Sequence, residues 1–118
     1  MRIGQVILRV ADLDRSVSFW SESVGFDVTM TAGAFVFLDG AGIQLILNQV
    51  DPVPPDDSLT ELVIEFEDVR AGYDELAQRG VPFEVELRPV TSDGSRDLLA
   101  AHFRDPDGHL ASVVGWVD

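Results

Sequence analysis

The sequence predicts an α+β fold built from two βαβββ modules in tandem, which form concave mixed sheets. Strand-like alternation occurs over residues 5–10 and again over residues 61–66, and each run is followed by apolar residues at helical spacing. The two segments repeat with a constant separation. Asp12 and Asp68 lie 56 positions apart, and so do the first residues of the two strand-like runs. A strand followed by a helix is therefore expected twice.

Capping residues mark both ends of each predicted helix. Asp12 and Asp68 stand where a side-chain oxygen can accept backbone N–H groups of the first helical turn. Gly25 and Gly80 follow the two helical patterns, and glycine commonly ends a helix because it adopts a left-handed conformation without strain. We therefore expect one helix in each module.

Three strand-like segments follow each helix. They are expected at residues 26–30, 35–39 and 43–48 in the first module and at residues 83–90, 98–104 and 109–114 in the second. Residues 37–42 resemble residues 103–108 at a separation of 66, which is ten more than at the start of the repeat. Loop-forming residues occur at 89–96, so we expect a longer hairpin connection there.

The length of 118 residues fits a single domain, with modules at about residues 1–50 and 59–118 and a proline-rich linker at residues 51–58. No apolar run is long enough to span a membrane and no signal peptide is apparent, so a cytoplasmic protein is expected. The absence of cysteine excludes disulfides, thiolate metal sites and a cysteine nucleophile.

The net charge of the chain limits the kinds of partner that it is expected to bind. A formal net charge of −13 disfavours binding to nucleic acids and to anionic membranes. The same acidic excess indicates either a site for cationic ligands or only a strongly solvated surface. The sequence contains no phosphate-binding loop, dinucleotide-binding motif, nucleophile elbow or zinc-protease motif.

One face of each predicted sheet lacks a cover. The helix is expected to cover the face formed by even-numbered residues such as Leu8, Val10 and Ile64. The opposite face is left for the other module, a partner chain or a ligand. We therefore expect the functional site on this concave face.

These patterns resemble a known family. Residues 6–20, which read VILRVADLDRSVSFW, the segment VGF at 24–26 and the segment FRDPDGHL at 103–110 are similar to the glyoxalase, bleomycin-resistance and ring-cleaving dioxygenase superfamily, also called vicinal oxygen chelate proteins. The resemblance covers nearly the whole chain. It implies a fold more strongly than an activity, because the superfamily includes lyases, epimerases, dioxygenases, thiol transferases and non-catalytic antibiotic-binding proteins.

The resemblance also implies where a metal would bind. Catalytic members take ligands from the first and last strands of each module, and the matching residues here are Gln5, Ile46, Glu61 and Ser112. Isoleucine has no donor atom and a protonated hydroxyl is a poor ligand, which leaves Glu61 as a good ligand and Gln5 as a weak one. Gln44 lies one pleat from Ile46 and would replace it after a register shift. We expect no intact metal site and no cofactor, while a divalent metal with an altered ligand set stays open.

Two further charged residues and two histidines need an interpretation. Arg9 and Glu65 are repeat mates near the expected cavity floor, either as a pair that orients a ligand or as a salt bridge that only satisfies itself. His109 is expected in a surface turn. His102 lies in the seventh strand, where the sequence does not fix its face, and a structural role is favoured over a general base.

Aromatic residues are expected along the cavity by the same resemblance. Phe35, Phe37, Phe103 and Trp116 lie on or beside the strands concerned, where their rings either stack on a planar ligand or fill the interior. Trp116 shares the parity of Ser112 on the last strand and is therefore expected on the same face.

Functions from different classes remain. The leading hypothesis is a non-catalytic protein that resembles bleomycin-resistance-type sequestration proteins and binds a small cationic or aromatic molecule as a homodimer. Its candidate ligand-binding residues are Gln5, Arg9, Phe37, Gln44, Ile46, Glu61, Glu65, His102, Phe103, Ser112 and Trp116, and no catalytic residue is assigned. The alternative is a metal-dependent glyoxalase-like lyase, isomerase or dioxygenase that uses Glu61, Gln5 and a further donor. An accessory domain without a ligand is the third.

Overall fold

A computed structural model describes residues 3–52 and 60–118 of the chain. The chain divides into two compact units, Met1–Asp56 and Asp57–Asp118. Each unit contains a four-stranded mixed sheet with a helical segment, which confirms the predicted α+β class and the duplicated topology. Most of the predicted linker, residues 53–58, lies outside the described residues.

The two units share one strand order. The first contains β1 (Gln5–Val10), α1 (Leu13–Val17), β2 (Val28–Ala32), β3 (Phe35–Asp39) and β4 (Gln44–Gln49) in the sheet order β1-β4-β3-β2. The second contains β5 (Glu61–Glu65), α2 (Val69–Gln78), β6 (Phe83–Ser92), β7 (Asp97–Arg104) and β8 (Leu110–Val117) in the order β5-β8-β7-β6. In both, the first strand runs parallel to the last and the other pairs are antiparallel.

Both helices begin at the predicted aspartates. The Asp12 carboxylate accepts the backbone N–H of Arg15 at 3.1 Å, and the Asp68 carboxylate accepts that of Ala71 at 3.1 Å. These bonds satisfy N–H groups of the first turn that have no partner within the helix. Among residues 3–52 and 60–118, no helix is long and apolar enough to cross a lipid bilayer.

The two helices end differently, although a glycine follows each as predicted. Helix α1 continues into a π-helical segment, Ser18–Val24, which closes when the N–H of Gly25 donates to the carbonyl of Trp20 at 3.1 Å. Gly25 has φ 109° and Gly80, after α2, has φ 91°. Both values lie in the left-handed region that favours glycine.

The core of each unit lies between the sheet and its helix. The fully buried apolar side chains include Val10, Trp20, Leu38 and Leu47 in the first unit and Phe103, Ala111 and Val113 in the second. On β1 the even-numbered Leu8 and Val10 are buried while Ile7 is 44% exposed, as the predicted alternation requires. The opposite face of each sheet is called the open face below.

The connection between β6 and β7 is longer than that between β2 and β3, as predicted, but by only two residues, since residues 93–96 correspond to residues 33–34. The rest of the extra length extends the strands, with 10 residues in β6 against 5 in β2 and 8 in β7 against 5 in β3. The Asp93 carboxylate accepts the backbone N–H groups of Ser95 at 2.9 Å and Arg96 at 2.8 Å. This side chain makes a tight turn from residues that the sequence alone assigned to a longer loop.

Candidate functional site

On the open face of the second sheet, a serine lies beside a histidine. Strand β8 lies between β5 and β7, and Ser112 is directly opposite Val63 on one side and His102 on the other. Residues that are directly opposite in a sheet point to the same face. The register therefore fixes the face of His102, which the sequence left undecided, and places it on the open face with Ser112.

His102 is held by protein groups at both ring nitrogens. Its Nε2 lies 3.0 Å from a carboxylate oxygen of Glu61, and its Nδ1 lies 3.2 Å from the guanidinium of Arg88. The same guanidinium nitrogen donates to the carbonyl oxygen of Ala100 at 2.8 Å. The side chains of His102 and Glu61 are 24% and 34% exposed, so the group lies at a surface that a ligand can reach.

The chemistry of the three groups determines which tautomer a neutral His102 ring adopts. A guanidinium has only N–H donors, so Nδ1 of His102 must accept the hydrogen bond from Arg88. A neutral imidazole carries its single proton on the other nitrogen, and Nε2–H therefore donates to the carboxylate of Glu61. We call Arg88, His102 and Glu61 the second-sheet relay.

The relay has a consequence for Ser112. This residue is 2% exposed and adjacent to His102 across the ladder. A serine nucleophile needs a neighbouring base with a free lone pair. Because both nitrogens of His102 are engaged, the imidazole does not offer one, and the pair does not form a nucleophilic site.

On the first sheet, two predicted residues contact each other. Gln5 and Gln44 are directly opposite in the parallel pair of β1 and β4, and the Gln5 side-chain amide donates to that of Gln44 at 3.2 Å. One pleat further, Ile46 lies between Ile7 and Phe37 and is 3% exposed. The predicted ligand-binding position of Ile46 is therefore part of an apolar row.

The remaining predicted charges lie one pleat further again. Arg9 is directly opposite Asn48, and Glu65 is directly opposite Val114. Both side chains belong to the open faces of their sheets, as expected. Their pairing with each other stays a prediction.

His109 lies in the turn before β8 and holds it together. Its Nδ1 is 2.8 Å from the carboxylate of Asp105, whose side chain is fully buried. The same carboxylate accepts the backbone N–H groups of Asp107 at 3.0 Å and His109 at 2.8 Å. The turn location agrees with the sequence, but the side chain is half-buried rather than a free surface group.

The aromatic candidates lie on both faces. Phe37 is half-buried on the open face, and Trp116 lies on the open face opposite Leu98 with the guanidinium of Arg96 5.2 Å from its ring centre. Phe103 was wrongly expected there. It is fully buried on the helix-covered face, where its ring is 5.5 Å from that of Phe83, and we remove it from the candidate site.

A turn of unequal length explains this error. Four residues separate the paired Asp39 and Gln44 in the first unit, whereas five separate Arg104 and Leu110 in the second. Strand β7 is therefore shifted by one position against β3, and a shift of one residue moves every side chain to the other face. His102, not Phe103, occupies the position of Phe37.

Arg88 is the residue that sequence reasoning missed. It belongs to β6, whose pairing with β7 is irregular between Val85 and Arg88 and again between Pro89 and Thr91. An alternating pattern does not predict the face of a side chain across such irregularities. The sequence did offer one signal, an arginine within a predicted strand. Such a side chain needs a hydrogen-bond acceptor when the strand is partly buried.

The residues at the family's metal positions do not form a full set of metal ligands as they are arranged here. Gln5 donates its NH₂ group to Gln44 and offers only an amide carbonyl, a weak ligand, while Ile46 has no donor atom and Ser112 is a buried hydroxyl. Glu61 is bonded to His102, whose Nε2 carries a proton instead of a free lone pair. In the two described ranges, no group of three or more histidine or acidic side chains is placed to hold a metal ion.

Two units with the same strand order, each with a helical segment on one face of a four-stranded mixed sheet, define the duplicated βαβββ class of proteins. The Glyoxalase/Bleomycin resistance protein/Dioxygenase superfamily matches residues 2–113, and the chain belongs to it. The match confirms the resemblance found in the sequence.

Three similar proteins illustrate the range of this superfamily. The metallothiol transferase FosB of Lysinibacillus sphaericus is 24% identical over 110 residues, which are 91% of this chain and 77% of that protein. A glyoxalase/bleomycin resistance protein/dioxygenase from Alicyclobacillus acidocaldarius superposes with a TM-score of 0.82 at 21% identity, covering 99% of this chain and 92% of the other, and shows the fold alone. TnmS3, an antibiotic binding protein from Streptomyces, superposes with a TM-score of 0.75 at 25% identity, covering 99% and 97%.

Proposed function

We propose that this protein binds a small molecule on its open faces without a metal ion and without catalysis, as an antibiotic-sequestering member of its superfamily does. The observation that carries the proposal is the second-sheet relay. Arg88 fixes the protonated nitrogen of His102 toward Glu61, so the two side chains best suited to hold a metal are bonded to each other. The similarity to the antibiotic binding protein TnmS3 supports the same function.

We propose a cationic or aromatic ligand. One carboxylate oxygen of Glu61 bonds to His102, which leaves the other oxygen as an acceptor for a ligand amine. A net charge of −13 raises the local concentration of cations. Trp116 adds a flat ring on the same open face, on which a planar ligand can stack.

We also propose that the protein acts as a cytoplasmic homodimer. Several large apolar side chains of the open faces are exposed in the single chain, among them Ile7 at 44% and Val63 at 51%. Exposed apolar surface of this kind commonly marks an interface. Sedimentation equilibrium at micromolar concentration measures the dimer, and a mass equal to one chain would contradict it.

A thermal-shift screen tests the binding function. The probes are bleomycin, a panel of cationic and aromatic antibiotics, and the divalent ions Zn²⁺, Mn²⁺ and Ni²⁺. A ligand at about 100 times its Kd stabilises the folded state by about 2.7 kcal/mol, so a cognate antibiotic raises Tm measurably. Metals and chelator are expected to leave Tm unchanged.

Two matched variants test whether a ligand that raises Tm binds at Glu61. Glu61→Gln is expected to weaken binding of a cationic hit, whereas Glu22→Gln, an equal charge change at an exposed residue of the first unit, is expected to leave it unchanged. Fluorescence of Trp116 is expected to change with an aromatic hit, and the response should disappear in Trp116→Phe. An equal response in Trp116→Phe would reject this residue as part of the site.

A metal-dependent enzyme is the second candidate. Glu61 and His102 lie 3.0 Å apart on an accessible face, both are of the type that ligates divalent ions, and FosB is a relative named as a metallothiol transferase. Elemental analysis separates the two functions. About one metal ion per chain in the purified protein, lost in Glu61→Gln, would establish the metalloenzyme and overturn the binding function.

A further inference from the structure

Three polar side chains form a row at one end of the first sheet. Gln44 is directly opposite Gln5 on β1 and directly opposite Asp39 on β3, so all three point to the open face. They line a cavity of about 690 Å³, which is completed by Gly4, Gly42 and Ile43. We call Gln5, Gln44 and Asp39 the amide row.

The amide pair in this row always leaves one donor and one acceptor for a ligand. Gln5 and Gln44 share a single hydrogen bond of 3.2 Å, which uses one N–H group and one carbonyl. Each side-chain amide has a carbonyl and an NH₂ group. Whichever of the two glutamines donates, the pair therefore still presents one carbonyl oxygen and one NH₂ group to the cavity.

Asp39 adds a second acceptor at a fixed position. One of its carboxylate oxygens accepts the backbone N–H of Ala41 at 2.8 Å, and the other has no partner among the described residues. The turn around it is closed by the backbone N–H of Gly40, which donates to the carbonyl oxygen of Ile43 at 2.9 Å. The carboxylate is therefore oriented before any ligand binds, which lowers the entropic cost of binding.

The fold does not require this row. In the second sheet the corresponding ladder positions are occupied by Glu61, Leu110 and Arg104. An apolar residue at the position of Gln44 is thus compatible with the same strand pairing. The strand pairing therefore does not account for the polar side chain of Gln44.

We propose that the amide row binds a primary carboxamide. Such a group has one carbonyl, which accepts from the free NH₂ of the glutamine pair, and two N–H groups, which donate to the free glutamine carbonyl and to Asp39. A carboxylate ligand lacks both donors and is repelled by Asp39. This inference rests on the proposed function, for which it names one chemical group of the ligand.

Titration with benzamide, followed by side-chain NH₂ signals in ¹H–¹⁵N NMR spectra, tests the proposal. The chain has four glutamines and one asparagine, so each signal can be assigned by substitution. The signals of Gln5 and Gln44 are expected to shift together with benzamide. Benzoate and N,N-dimethylbenzamide, which lack the two N–H donors, are expected to shift neither.

Gln44→Leu copies the residue of the second sheet and removes the pair. It is expected to weaken benzamide binding about tenfold, the loss of about one hydrogen bond that leaves a partner unpaired. Gln78→Leu, on the exposed surface of α2, is the control and is expected to bind like the parent. Equal shifts with benzoate, or equal affinity of Gln44→Leu and the parent protein, would overturn the carboxamide site.

The test of the carboxamide site can fail independently of the test of the proposed function. The metal content and the effect of Glu61→Gln report on the second sheet, whereas the glutamine signals report on the first. A protein that binds an antibiotic through Glu61 but gives no glutamine shift with benzamide would overturn the carboxamide site alone. A protein that holds a metal would overturn the proposed function, whatever benzamide does.

Discussion

The imidazole Nε2 of His102 lies 3.0 Å from the carboxylate of Glu61, and this contact determines what the second sheet can do. Glu61 is the one good metal ligand among the family's four positions. Its nearest neighbour is a ring nitrogen that carries a proton, because Arg88 occupies the other nitrogen at 3.2 Å. In this arrangement neither ring nitrogen of His102 has a lone pair to offer a metal ion.

The first prediction concerns the tautomers of the two histidines. A neutral His102 ring accepts at Nδ1 from Arg88 and is expected as the Nε2–H tautomer, whereas His109 faces a carboxylate at Nδ1 and is expected to carry a proton there. Long-range ¹H–¹⁵N spectra at neutral pH distinguish the two. The chain contains only these two histidines, so each serves as the reference for the other.

Replacement of Arg88 should remove the hydrogen bond at Nδ1 of His102. Arg88→Met leaves Nδ1 of His102 without its donor while Glu61 still accepts from Nε2–H, so the Nε2–H tautomer is expected to persist and the Nδ1 signal to move toward that of an unbonded nitrogen. The lone pair freed at Nδ1 is expected to increase the affinity for Zn²⁺. Arg70→Met removes the same charge from an exposed position of α2 and should change neither property. An Nδ1 signal of His102 that is the same in Arg88→Met and the parent would contradict the hydrogen bond from Arg88.

The duplicated strands and helix caps could be predicted from the sequence because they depend on local chemistry. Asp12 and Asp68 cap their helices and Gly25 and Gly80 end them through interactions within a few residues. Faces of the first strands followed from alternation, which needs no knowledge of the partner strand. These features are encoded within single segments.

The composition of the candidate site could be predicted only in part, because it depends on register. The turn before β8 is one residue longer than its counterpart before β4, which exchanges Phe103 for His102 on the open face. Arg88 reaches His102 only because strand β6 is irregular. Neither effect leaves a periodic signal, since both arise from pairing between strands.

The second prediction tests how closely α2 packs on β8. A Cβ atom at Gly115 would lie 2.6 Å from the Cβ of Val69 and 2.8 Å from the carbonyl oxygen of Phe66. Backbone cannot move aside as a side chain does, so Gly115→Ala is expected to lower the free energy of unfolding by about 1–3 kcal/mol. Urea denaturation measures the change.

Gly4→Ala is the matched control for this substitution. Beyond its two chain neighbours, no atom of the described residues lies within 4 Å of the position where its Cβ would be, so the expected change is within about 0.5 kcal/mol. Equal stability of Gly115→Ala and Gly4→Ala would show that the helix and the sheet are not in the close contact described.

The third prediction concerns the cap of α2. Asp68 accepts the N–H of Ala71 at 3.1 Å, and its replacement by alanine leaves that group without a side-chain partner. Asp68→Ala is expected to lower the free energy of unfolding by about 1 kcal/mol. Asp68→Asn keeps an acceptor oxygen and should retain most of the stability. A loss as large in Asp68→Asn as in Asp68→Ala would assign the effect to charge rather than to the cap.

The last prediction is a pH dependence at the turn between β6 and β7. Hydrogen bonds from the backbone N–H groups of Arg96 and then Ser95 lower the pKa of Asp93 below its ordinary value. The folded state thus binds a proton less readily than the unfolded chain. The stabilisation is present above the unfolded pKa, about 3.9, and is lost as the pH falls through the lower folded pKa. Asp93→Ala should therefore reduce Tm at pH 7 and reduce it less as the pH falls below about 4.

Asp97→Ala provides the comparison, because Asp97 is an exposed carboxylate at the start of β7, close to the same turn. Thermal melts of the parent and both variants between pH 7 and pH 3 measure the difference. A Tm difference between the parent and Asp93→Ala that stays constant over this range would contradict the assignment, because it would mean that Asp93 stabilises the turn without its charge. A difference that shrinks for Asp93→Ala but not for Asp97→Ala would attribute the pH dependence to the hydrogen bonds from Ser95 and Arg96, which are stronger while the carboxylate is ionised.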